Sequence, residues 1–430
     1  MLLINYFHML DYRFIVENLD AVKKNITQRF MKADAEAVTK LFARRTELST
    51  NLQALQQQRN TNAAAMKGKL DDSARKTLVE EGKKLKESIS AAEDELSKTE
   101  AELEQEARKI PNMAHPDAPV GREDKDNLDV KRVGEPANFD FEPLDHVALG
   151  QNLDIIDFDS GTKVSGVKFY YLKNEAVFLE LALVRYALDI LHKKGFTPFI
   201  TPDIARTEIL EGIGFNPRGE ESNVYSLEGE DSCLVGTAEI TLGGYYSNMI
   251  LPREKLPLRM AGLSHCFRRE AGAAGQFSKG LYRVHQFTKL EMFVYCLPED
   301  SDRSHEELRS IEEEIFAGLE IPFRVVDTCT GDLGAPAYRK WDLEAWMPGR
   351  NEWGEVTSTS NCTDYQARRL NAKYKDADGK NKFVHMLNGT AIAVSRGIIA
   401  ILENFQQKDG SVKLPKALVP YCGFEWIKKK

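Results

Sequence analysis

The sequence has few cysteines, no long apolar run and no excess of positive charge. Its six cysteines are dispersed without a C-x-x-C pair, which argues against a zinc ribbon and against a disulfide framework. No apolar run approaches the roughly 18 residues that a membrane span requires. The opening stretch, MLLINYFHML, is apolar but lacks a basic segment and a small-residue cleavage site, so it makes a poor signal peptide. We therefore expect a protein of a reducing compartment, the cytoplasm, without a membrane partner.

The common phosphate-binding loops are also missing. The chain contains no G-x-x-x-x-G-K-[ST] motif, and the stretch from Gly212 to Pro217 fails as G-x-G-x-x-G because proline stands in place of the last glycine. This argues against a P-loop and against a Rossmann fold. The net charge of −8 means that any nucleic-acid partner must be met by a local basic surface rather than by the field of the whole protein.

What is present suggests two or three folding units. The chain has 430 residues, of which 29% are charged and 42% hydrophobic, as expected of a globular protein with room for one large core. Three prolines between Ile110 and Pro119 end a long helical pattern. We expect an N-terminal domain over residues 1–112, a linker over 113–142 and a second domain over 143–430.

Two long helices are predicted in the N-terminal domain. From Val38 to Met66, and again from Leu78 to Ile110, residues spaced alternately three and four apart form a seam typical of coiled coils. A short, turn-like stretch over residues 68–72 separates the two, so we predict an antiparallel hairpin about 50 Å long. The first seam has three polar members, which would weaken the packing but could fix its register: Arg45, Arg59 and Asn62.

The first of these helices has a basic character. Between residues 36 and 69 it carries Lys40, Arg44, Arg45, Arg59, Lys67 and Lys69 against Glu36 and Glu47. The simplest interpretation is that these charges solvate a coiled coil. The alternative is that the hairpin binds the phosphates of an RNA helix, which requires Lys and Arg but little recognition of bases.

The second domain begins with a predicted helix over residues 173–194, which Gly195 ends. The extended segment from Phe196 to Pro202 follows, and its prolines remove ladder donors. We therefore predict an edge or interface strand there.

The stretch from Gly262 to Tyr295 reads as two antiparallel strands around a wide loop, because apolar and polar residues alternate on both sides of GAAGQFSKG. The alternation predicts two polar sets on one face each: Ser264, Cys266, Arg268 and Glu270 on the first strand, and Arg283, His285, Lys289 and Glu291 on the second. Such a face cannot be buried against an apolar core, so it lines a polar cavity or faces solvent. The simpler alternative is an edge hairpin with cross-strand ion pairs.

Three further segments carry chemistry. Thr237 and Glu239 lie two apart in LVGTAEI. On one side of an extended segment they could bind an ammonium group; alternatively, they could simply cap the next helix. The run from Glu355 to Gln366 is dense in oxygen-bearing side chains that suit Mg²⁺, although such a run is also plausible as a Ser/Thr-rich turn. The stretch from Leu387 to Arg396 leads into a helix in which Gly397 costs roughly 1 kcal/mol relative to alanine, so we expect close packing there.

These motifs together resemble those of one family. The segments from Phe267 to Gly272 and from Gly280 to Phe287 are similar to motif 2 of class II aminoacyl-tRNA synthetases, specifically of seryl-tRNA synthetases. The predicted helical hairpin, the helix and strand ending at Pro202 (motif 1), the TAE and EVTS phrases and the segment ending at Arg396 (motif 3) follow in the family's order.

The resemblance implies an α+β fold, with an N-terminal coiled-coil arm and a class II catalytic domain built on an antiparallel sheet with flanking helices. It implies ATP-dependent activation of L-serine to seryl-adenylate and transfer to the 3′ end of tRNA(Ser), with tRNA(Sec) as a further candidate. It also implies Mg²⁺, a homodimer and tRNA rather than DNA as the nucleic-acid partner.

By the same resemblance, Arg268 and Arg396 are the catalytic residues and Glu355 and Ser358 the metal ligands. The expected ATP-binding set is Arg268, Arg269, Glu270, Val284, Glu355, Val356, Thr357, Ser358 and Arg396. The expected serine-binding set is Thr237, Ala238, Glu239, Glu291 and Thr390, and the expected tRNA-binding set is Lys40, Arg44 and Lys67. Two other classes stay open at this point: a ligase that loads a carrier protein, and an inactive synthetase-like interaction protein.

Overall fold

The computed structural model describes residues 10–68, 70–216, 222–271 and 279–429. The chain divides into two compact units between Pro111 and Asn112. Lys69 and most of the loop of the predicted β-hairpin lie outside the described residues. In the part of the chain that is described, no helix is both long enough and apolar enough to cross a membrane.

The first unit consists of helices. They are α1 (Tyr12–Glu17), α2 (Leu19–Gln28), α3 (Ala35–Ala65) and α4 (Asp72–Ala107). The side chain of Asp34 caps α3 by accepting from two backbone N–H groups, and Asp71 caps α4 in the same way with one. With 31 and 36 residues, the two long helices extend about 47 and 54 Å at 1.5 Å per residue.

The seam between α3 and α4 follows the predicted spacing, and the antiparallel hairpin is confirmed. Its buried members include Val38, Leu48, Ile89 and Leu103. Two of the polar seam residues are paired across it: Arg45 Nε donates to Glu100 at 3.0 Å and Asn62 Nδ2 to Glu81 at 3.3 Å. Arg59 is exposed instead, so that position was wrongly placed in the seam.

The segment expected to be a linker is held to the second unit by many contacts. Just before it, the side chain of Asn112 donates to the carbonyls of Pro336 and Cys362 at 2.9 and 3.0 Å, and within it the backbone N–H of His115 donates to the carbonyl of Tyr338 at 2.8 Å. Further on, the strand Leu128–Val133 pairs with Phe323–Asp327. Residues 113–142 therefore belong to the second unit, and Leu128–Val133 form a strand of its sheet.

The second unit contains mostly short strands and helices. The strands are β1 (Leu128–Val133), β2 (Ile156–Asp157), β3 (Tyr171–Leu172), β4 (Thr197–Ile200), β5 (Ile204–Arg206), β6 (Tyr225–Ser226), β7 (Ser232–Leu234), β8 (Ile250–Leu251), β9 (Leu258–Phe267), β10 (Gln286–Cys296), β11 (Phe323–Asp327), β12 (Arg339–Met347), β13 (Glu352–Asn361), β14 (Lys373–Lys375), β15 (Asn381–Phe383), β16 (His385–Ala393), β17 (Val412–Lys413) and β18 (Trp426–Ile427). The helices are α5 (His146–Asn152), α6 (Phe158–Ser165), α7 (Glu175–Lys193), α8 (Thr207–Ile213), α9 (Ala238–Gly244), α10 (Ser301–Gly318), α11 (Tyr365–Leu370), α12 (Val394–Asn404) and α13 (Val419–Cys422).

An eight-stranded sheet organises this unit, in the order β1-β11-β12-β13-β16-β10-β9-β4. Neighbouring strands are antiparallel except for β4, which runs parallel to β9 at the edge. The helix over residues 173–194 and the edge strand after it are therefore confirmed as α7 and β4. Each face of β10 has its own core: Leu290, Met292 and Val294 pack with α7, α10 and α12, whereas Phe293 and Tyr295 pack with α8 and α9. On the same face as Phe293, the two preceding positions of β10 are Glu291 and Lys289, and the cavity opens there.

Candidate active site

The charged hairpin lies inside the sheet. Strands β9 and β10 pair in register, with Lys289 opposite Ser264 and Glu291 opposite Gly262. Strand β9 also pairs with β4, and strand β10 also pairs with β16, so the edge-hairpin interpretation is wrong. The ladder ends at Phe267 and resumes at Gln286, which leaves Arg268 just past the end of the strand, at the rim of a cavity.

Two arginines reach this cavity from different elements. Arg268 has its guanidinium carbon 5.4 Å from the centre of the Phe287 ring, and its Nε donates to the carbonyl of Gly236 at 3.2 Å. Arg396, in the first turn of α12, lies 4.8 Å from the centre of the Tyr282 ring. Stacking on aromatic faces holds both guanidinium groups in fixed planes.

Glu355 is the acidic partner of Arg396. Its carboxylate lies 3.2 Å from Nη1 of Arg396, which also donates to the backbone carbonyl of Glu355 at 2.9 Å. Burial acts to raise the pKa of Glu355, but the charges of Arg396, Lys340 and Arg268 lower it below its ordinary value. Glu355 is therefore ionised in a cavity that also holds two guanidinium groups.

A β-bulge decides which side chains of β13 accompany Glu355. Opposite β12, Leu343 pairs with Thr357 and Glu344 with Glu355, so Val356 is an extra residue. The bulge shifts the alternation by one and puts Ser358, three residues on, at a half-buried position like that of Glu355. From Glu355 to Asn361 the run is thus a strand, so its interpretation as a Ser/Thr-rich turn is wrong there; Thr363 and Asp364 form a turn before α11.

A second polar group lies deeper, around Thr237. Its Oγ1 accepts from the backbone N–H of Glu239 at 3.1 Å and donates to Glu291 Oε2, also at 3.1 Å. Thr237 is the N-cap of α9, so the extended interpretation of this segment is wrong and the capping interpretation is confirmed. Because the same hydroxyl serves both partners, the cap also fixes a buried carboxylate.

The carboxylate of Glu239 is surrounded by amide donors. Its Oε1 accepts from Gln366 Nε2 at 2.7 Å and from Asn388 Nδ2 at 2.9 Å. Burial, with the nearby charge of Glu291, raises the pKa of Glu239 to about 7. A cation that entered here would restore the ionised form.

Lys289 joins the two polar groups. It forms an ion pair with Glu291, both side chains being almost fully buried, and its Nζ donates to Thr390 Oγ1 at 3.4 Å. Thr390 lies opposite Glu291 in the ladder, next to a second bulge at Ala391. A charged pair buried beneath the cavity has little access to water, which strengthens its interaction with any polar group placed above it.

Most of the predicted residues come together here. The cavity is lined by Arg268, Glu270, Tyr282, Val284, Phe287, Lys289, Glu355, Val356, Thr357, Ser358, Thr390, Ala393, Ser395 and Arg396. Thr237, Glu239 and Glu291 adjoin it through the contacts above, and Ala238 is the buried first residue of α9 between Thr237 and Glu239. Arg269 is exposed and lies outside this lining. Its backbone N–H donates to the carbonyl of Asn223 at 2.9 Å.

Sequence reasoning missed several members of the site. Lys289 had a signal, since alternation put it on the charged face of the hairpin. Tyr282 and Phe287 lie within the motif 2 phrases but show no role there. Gln366 and Asn388 had no signal, because their contact with Glu239 spans 127 and 149 residues of sequence.

Gly397, in the first turn of α12, is explained by packing. A Cβ at this position would lie 3.0 Å from Ile392 Cδ1 and 3.4 Å from Leu183 Cδ1. The expected close packing is confirmed, and it fixes the helix that carries Arg396 against the sheet.

The three predicted tRNA-binding residues lie in the first unit and differ in their surroundings. Arg44 is paired twice within the arm, with Glu47 at 2.9 Å and Glu95 at 2.5 Å. Lys40 and Lys67 are exposed on α3 and just after it. The basic character of α3 is thus partly neutralised by acidic residues of the arm itself.

The sheet and this cavity define a class II aminoacyl-tRNA synthetase core. The family model described as "tRNA synthetase class II core domain (G, H, P, S and T)" matches residues 223–405. A prolyl-tRNA synthetase of Giardia lamblia, solved with prolyl-adenylate, shares the fold over 64% of this chain at 16% identity, with a TM-score of 0.56.

More specific similarities cover the whole length. The "Seryl-tRNA synthetase N-terminal domain" model matches residues 9–114. The serine–tRNA ligase of Treponema denticola is 72% identical over 97% of this chain and all of its own, and that of Treponema pallidum is 60% identical over 97% and 99%. The structure of seryl-tRNA synthetase from Pyrococcus horikoshii complexed with ATP has a TM-score of 0.92 at 40% identity, covering 98% of this chain and 100% of its own. The chain belongs to the seryl-tRNA synthetase family.

Proposed function

We propose that the cavity binds ATP and serine side by side, and that the chain is a serine–tRNA ligase which activates L-serine to seryl-adenylate and transfers it to the 3′ end of tRNA(Ser). The observation that carries this is the convergence of Arg268, Arg396 and Glu355 on one cavity that continues into the buried carboxylates Glu239 and Glu291. Among the similar solved structures, the seryl-tRNA synthetase of Pyrococcus horikoshii is complexed with ATP and the serine–tRNA ligase of Naegleria fowleri with AMP. Both support the assignment of the cavity to ATP.

Adenylate formation needs positioning more than covalent help from the protein. An oxygen of the serine carboxylate attacks the α-phosphorus of ATP, a P–O bond forms, and pyrophosphate leaves with the electron pair of the bond that breaks. Arg268 lies next to the serine side and is assigned to the α-phosphate, and Arg396 to the outer phosphates. Guanidinium groups held on aromatic rings stabilise the charge that develops there without reorganising.

The remaining lining residues serve the nucleotide's other parts. Glu270 and Val284 are assigned to the adenine side, and Val356 and Thr357 to the strand floor on which ATP lies. Arg269 is exposed and is not one of the residues that line the cavity, so the proposal gives it no contact with ATP.

Mg²⁺ fits the residues present. Glu355 offers an ionised carboxylate and Ser358 a hydroxyl on the same side of β13, and Mg²⁺ is usually held by one or two carboxylates together with substrate phosphates. No group of three or more His, Cys, Asp or Glu side chains suited to a metal occurs among the described residues, which agrees with an ion that needs the nucleotide for binding. When bound, it would neutralise phosphate charge next to Arg396.

The serine site follows from the deeper polar group. Glu239 is assigned to the ammonium of serine, while Glu291 and Thr390, with Thr237 behind them, are assigned to its hydroxyl. A site that hydrogen-bonds the hydroxyl can reject alanine by roughly 10⁴-fold, because its buried polar groups would otherwise stay unpaired.

We also propose a homodimer formed through α7 and β4. Ile200 is 88% exposed at the sheet edge, and Leu181 and Phe178 on α7 are 62% and 55% exposed. Large apolar side chains exposed together on an edge strand and its preceding helix mark a surface that a second copy covers. Sedimentation at micromolar concentration tests this, and a monomer only would contradict it.

The arm is assigned to tRNA(Ser), and tRNA(Sec) is a further candidate for the same surface. Lys40 and Lys67 are exposed, so they are the stronger candidates for phosphate contacts. Arg44 contributes only if its pairs with Glu47 and Glu95 open. The six cysteines, all described and all buried as free thiols, support the proposed location in the cytoplasm.

Pyrophosphate exchange across the twenty amino acids tests the function directly. Serine-dependent exchange, with alanine and threonine far behind, is the expected result. A second assay with tRNA(Ser) separates this activity from a ligase that loads a carrier protein, and no exchange with any amino acid would indicate an inactive synthetase-like protein.

A further inference from the structure

A buried histidine behind the cavity has no role in the mechanism above. His146, the first residue of α5, is 1% exposed. Its Nδ1 lies 2.8 Å from Glu403 Oε1, and its Nε2 accepts the backbone N–H of Leu281 at 3.1 Å. Because Nε2 accepts, the ring proton is on Nδ1 and is donated to Glu403.

Glu403 extends this contact to two more segments. The same Oε1 accepts the backbone N–H of His146 at 3.0 Å, and Oε2 accepts the backbone N–H of Gly349 at 2.9 Å. Glu403 belongs to α12, the helix that carries Arg396, and Gly349 lies in the turn between β12 and β13. One histidine and one glutamate thus join α5, α12, the β12–β13 turn and the return limb of the motif 2 loop.

We call His146, Glu403 and their hydrogen bonds the clasp, and Leu281 is the residue through which the clasp contacts the site. The next residue is Tyr282, whose ring lies beneath Arg396. The approach is close, since a Cβ at Gly280, which has φ +60, would lie 2.2 Å from His146 Nε2. Lys279 is held to the same segment by an ion pair with Asp145, the N-cap residue of α5.

We propose that His146, held by Glu403, is a positioning residue for ATP: it fixes the return limb of the motif 2 loop so that Tyr282 supports Arg396. Loss of the Nε2 acceptor leaves the N–H of Leu281 buried without a partner, and that cost is relieved by moving the limb and Tyr282 with it. Among the described residues, the hydrogen bonds given above for Thr237, Glu239, Glu291 and Thr390 do not involve His146, Glu403 or Leu281. The inference rests on the assignment of the cavity to ATP.

Two variants of His146 separate the halves of the clasp. In His146→Asn the amide nitrogen reaches the place of Nδ1 and still donates to Glu403, but nothing accepts from Leu281. In His146→Gln the amide oxygen reaches the place of Nε2 and still accepts from Leu281. Ser301→Ala is the matched control, because Ser301 is likewise the buried first residue of a helix, α10, and its hydroxyl donates to Asn361 Oδ1 at 3.0 Å, an acceptor outside the clasp and the loop.

The measurement is serine-dependent pyrophosphate exchange by the full chain, with KM determined for ATP and for serine, beside thermal unfolding of each variant. We expect His146→Asn to raise the KM for ATP about tenfold and to leave that for serine within about twofold, with His146→Gln closer to the wild type. Ser301→Ala should lower the melting temperature while both KM values stay.

Equal effects of the Asn and Gln variants on ATP, an unchanged KM for ATP in His146→Asn, or a parallel rise in the KM for serine would overturn the positioning role. Arg396→Ala, measured beside them, keeps the two proposals apart. If Arg396→Ala leaves the exchange intact, the assignment of the cavity to ATP fails; if it abolishes exchange while His146→Asn is silent, only the clasp fails.

Discussion

The two hairpins of this chain use charge in opposite ways. In the helical hairpin of the first unit, charged residues lie on the surface or at the seam margin, and some pair with residues of the same hairpin, as Arg45 does with Glu100. In the β-hairpin of the second unit, Lys289 and Glu291 are buried beneath a cavity, and the residues that complete the site come from β13, β16 and α12. The first arrangement tolerates water, and the second depends on its exclusion.

The difference teaches where substitution should matter. An exposed ion pair contributes little to stability and is screened by salt, so losing one arm charge should be mild. A charge in the cavity acts where the effective dielectric constant is low, so its loss should affect chemistry far more than folding. Four experiments sharpen or break this contrast.

The largest effect is expected from Arg268→Ala. Removing a positioned donor to the α-phosphate should lower the rate of serine-dependent pyrophosphate exchange by about 10²–10³-fold or more, while thermal unfolding stays near that of the wild type. Arg303→Ala is the matched control, since this arginine is 75% exposed and pairs with nearby Asp300. Exchange within about twofold of the wild type in Arg268→Ala would refute its assignment.

Deletion of residues 36–109, with a short flexible linker in their place, should separate the two half-reactions. The arm has its own seam, and the second unit has its own core, so exchange should persist. Aminoacylation of tRNA(Ser) should fall by about 10²-fold or more because phosphate contacts supply much of the affinity. Equal charging by the shortened and full-length chains would show that the arm does not bind tRNA.

An intermediate effect is expected from pH. The pKa of Glu239 is raised from 4.5 to about 7, so in the free protein this carboxyl is largely neutral below that pH and must lose its proton when it binds an ammonium group. At saturating ATP, kcat/KM for serine should therefore fall about tenfold per pH unit well below pH 7.

Stability should change with pH in the opposite sense. The folded state holds this proton up to about pH 7 and the unfolded chain only up to about pH 4.5, so the contribution of Glu239 is lost as pH rises between the two values. Glu239→Gln should abolish both dependences; if both profiles keep their shape in that variant, another group is responsible.

The smallest effect is expected from the arm charges. Lys40→Glu together with Lys67→Glu should weaken tRNA(Ser) binding and flatten its dependence on salt by about one unit of slope for each phosphate that the arm no longer neutralises. Arg44→Ala should do less, because Arg44 already pairs with Glu47 and Glu95. Filter binding between 50 and 300 mM salt, roughly the range over which salt weakens binding to phosphates, measures both; a larger effect from Arg44 would reverse this ranking.

The sequence predicted what depends on local repetition. The seam spacing is enough to give the helical hairpin, and the period-two alternation is enough to give β9 and β10, since both reflect one face of one element. The alternation was wrong about where the strands meet the loop, because Arg268, Glu270, Arg283 and His285 lie beyond their ends. The start of α9 shows the limit of such reasoning: Thr237 fitted both a strand end and a helix cap, and the choice depends on the hydrogen bond to Glu239.

The sequence could not predict structural features that depend on residues far apart in the chain. The bulge at Val356 exists because β12 lacks a matching residue, so the shared side of Glu355 and Ser358 cannot be read from β13 alone. The amide donors of Glu239 lie on α11 and β16, and the clasp of His146 joins residues 257 apart. No periodicity in a sequence records such contacts.

The order of strands in the large sheet bears on how the chain is made by the ribosome. Strand β16 is the last of its eight strands to be synthesised, yet it lies between β13 and β10. Until residue 385 has emerged, the sheet consists of two separate parts, one leading to Arg268 and the other carrying Glu355, each with an unpaired edge that favours association with other chains. The helical arm, by contrast, is complete once residue 107 has emerged. A nascent chain can therefore present its arm long before it can activate an amino acid, and a truncated chain would carry the arm without an ATP site.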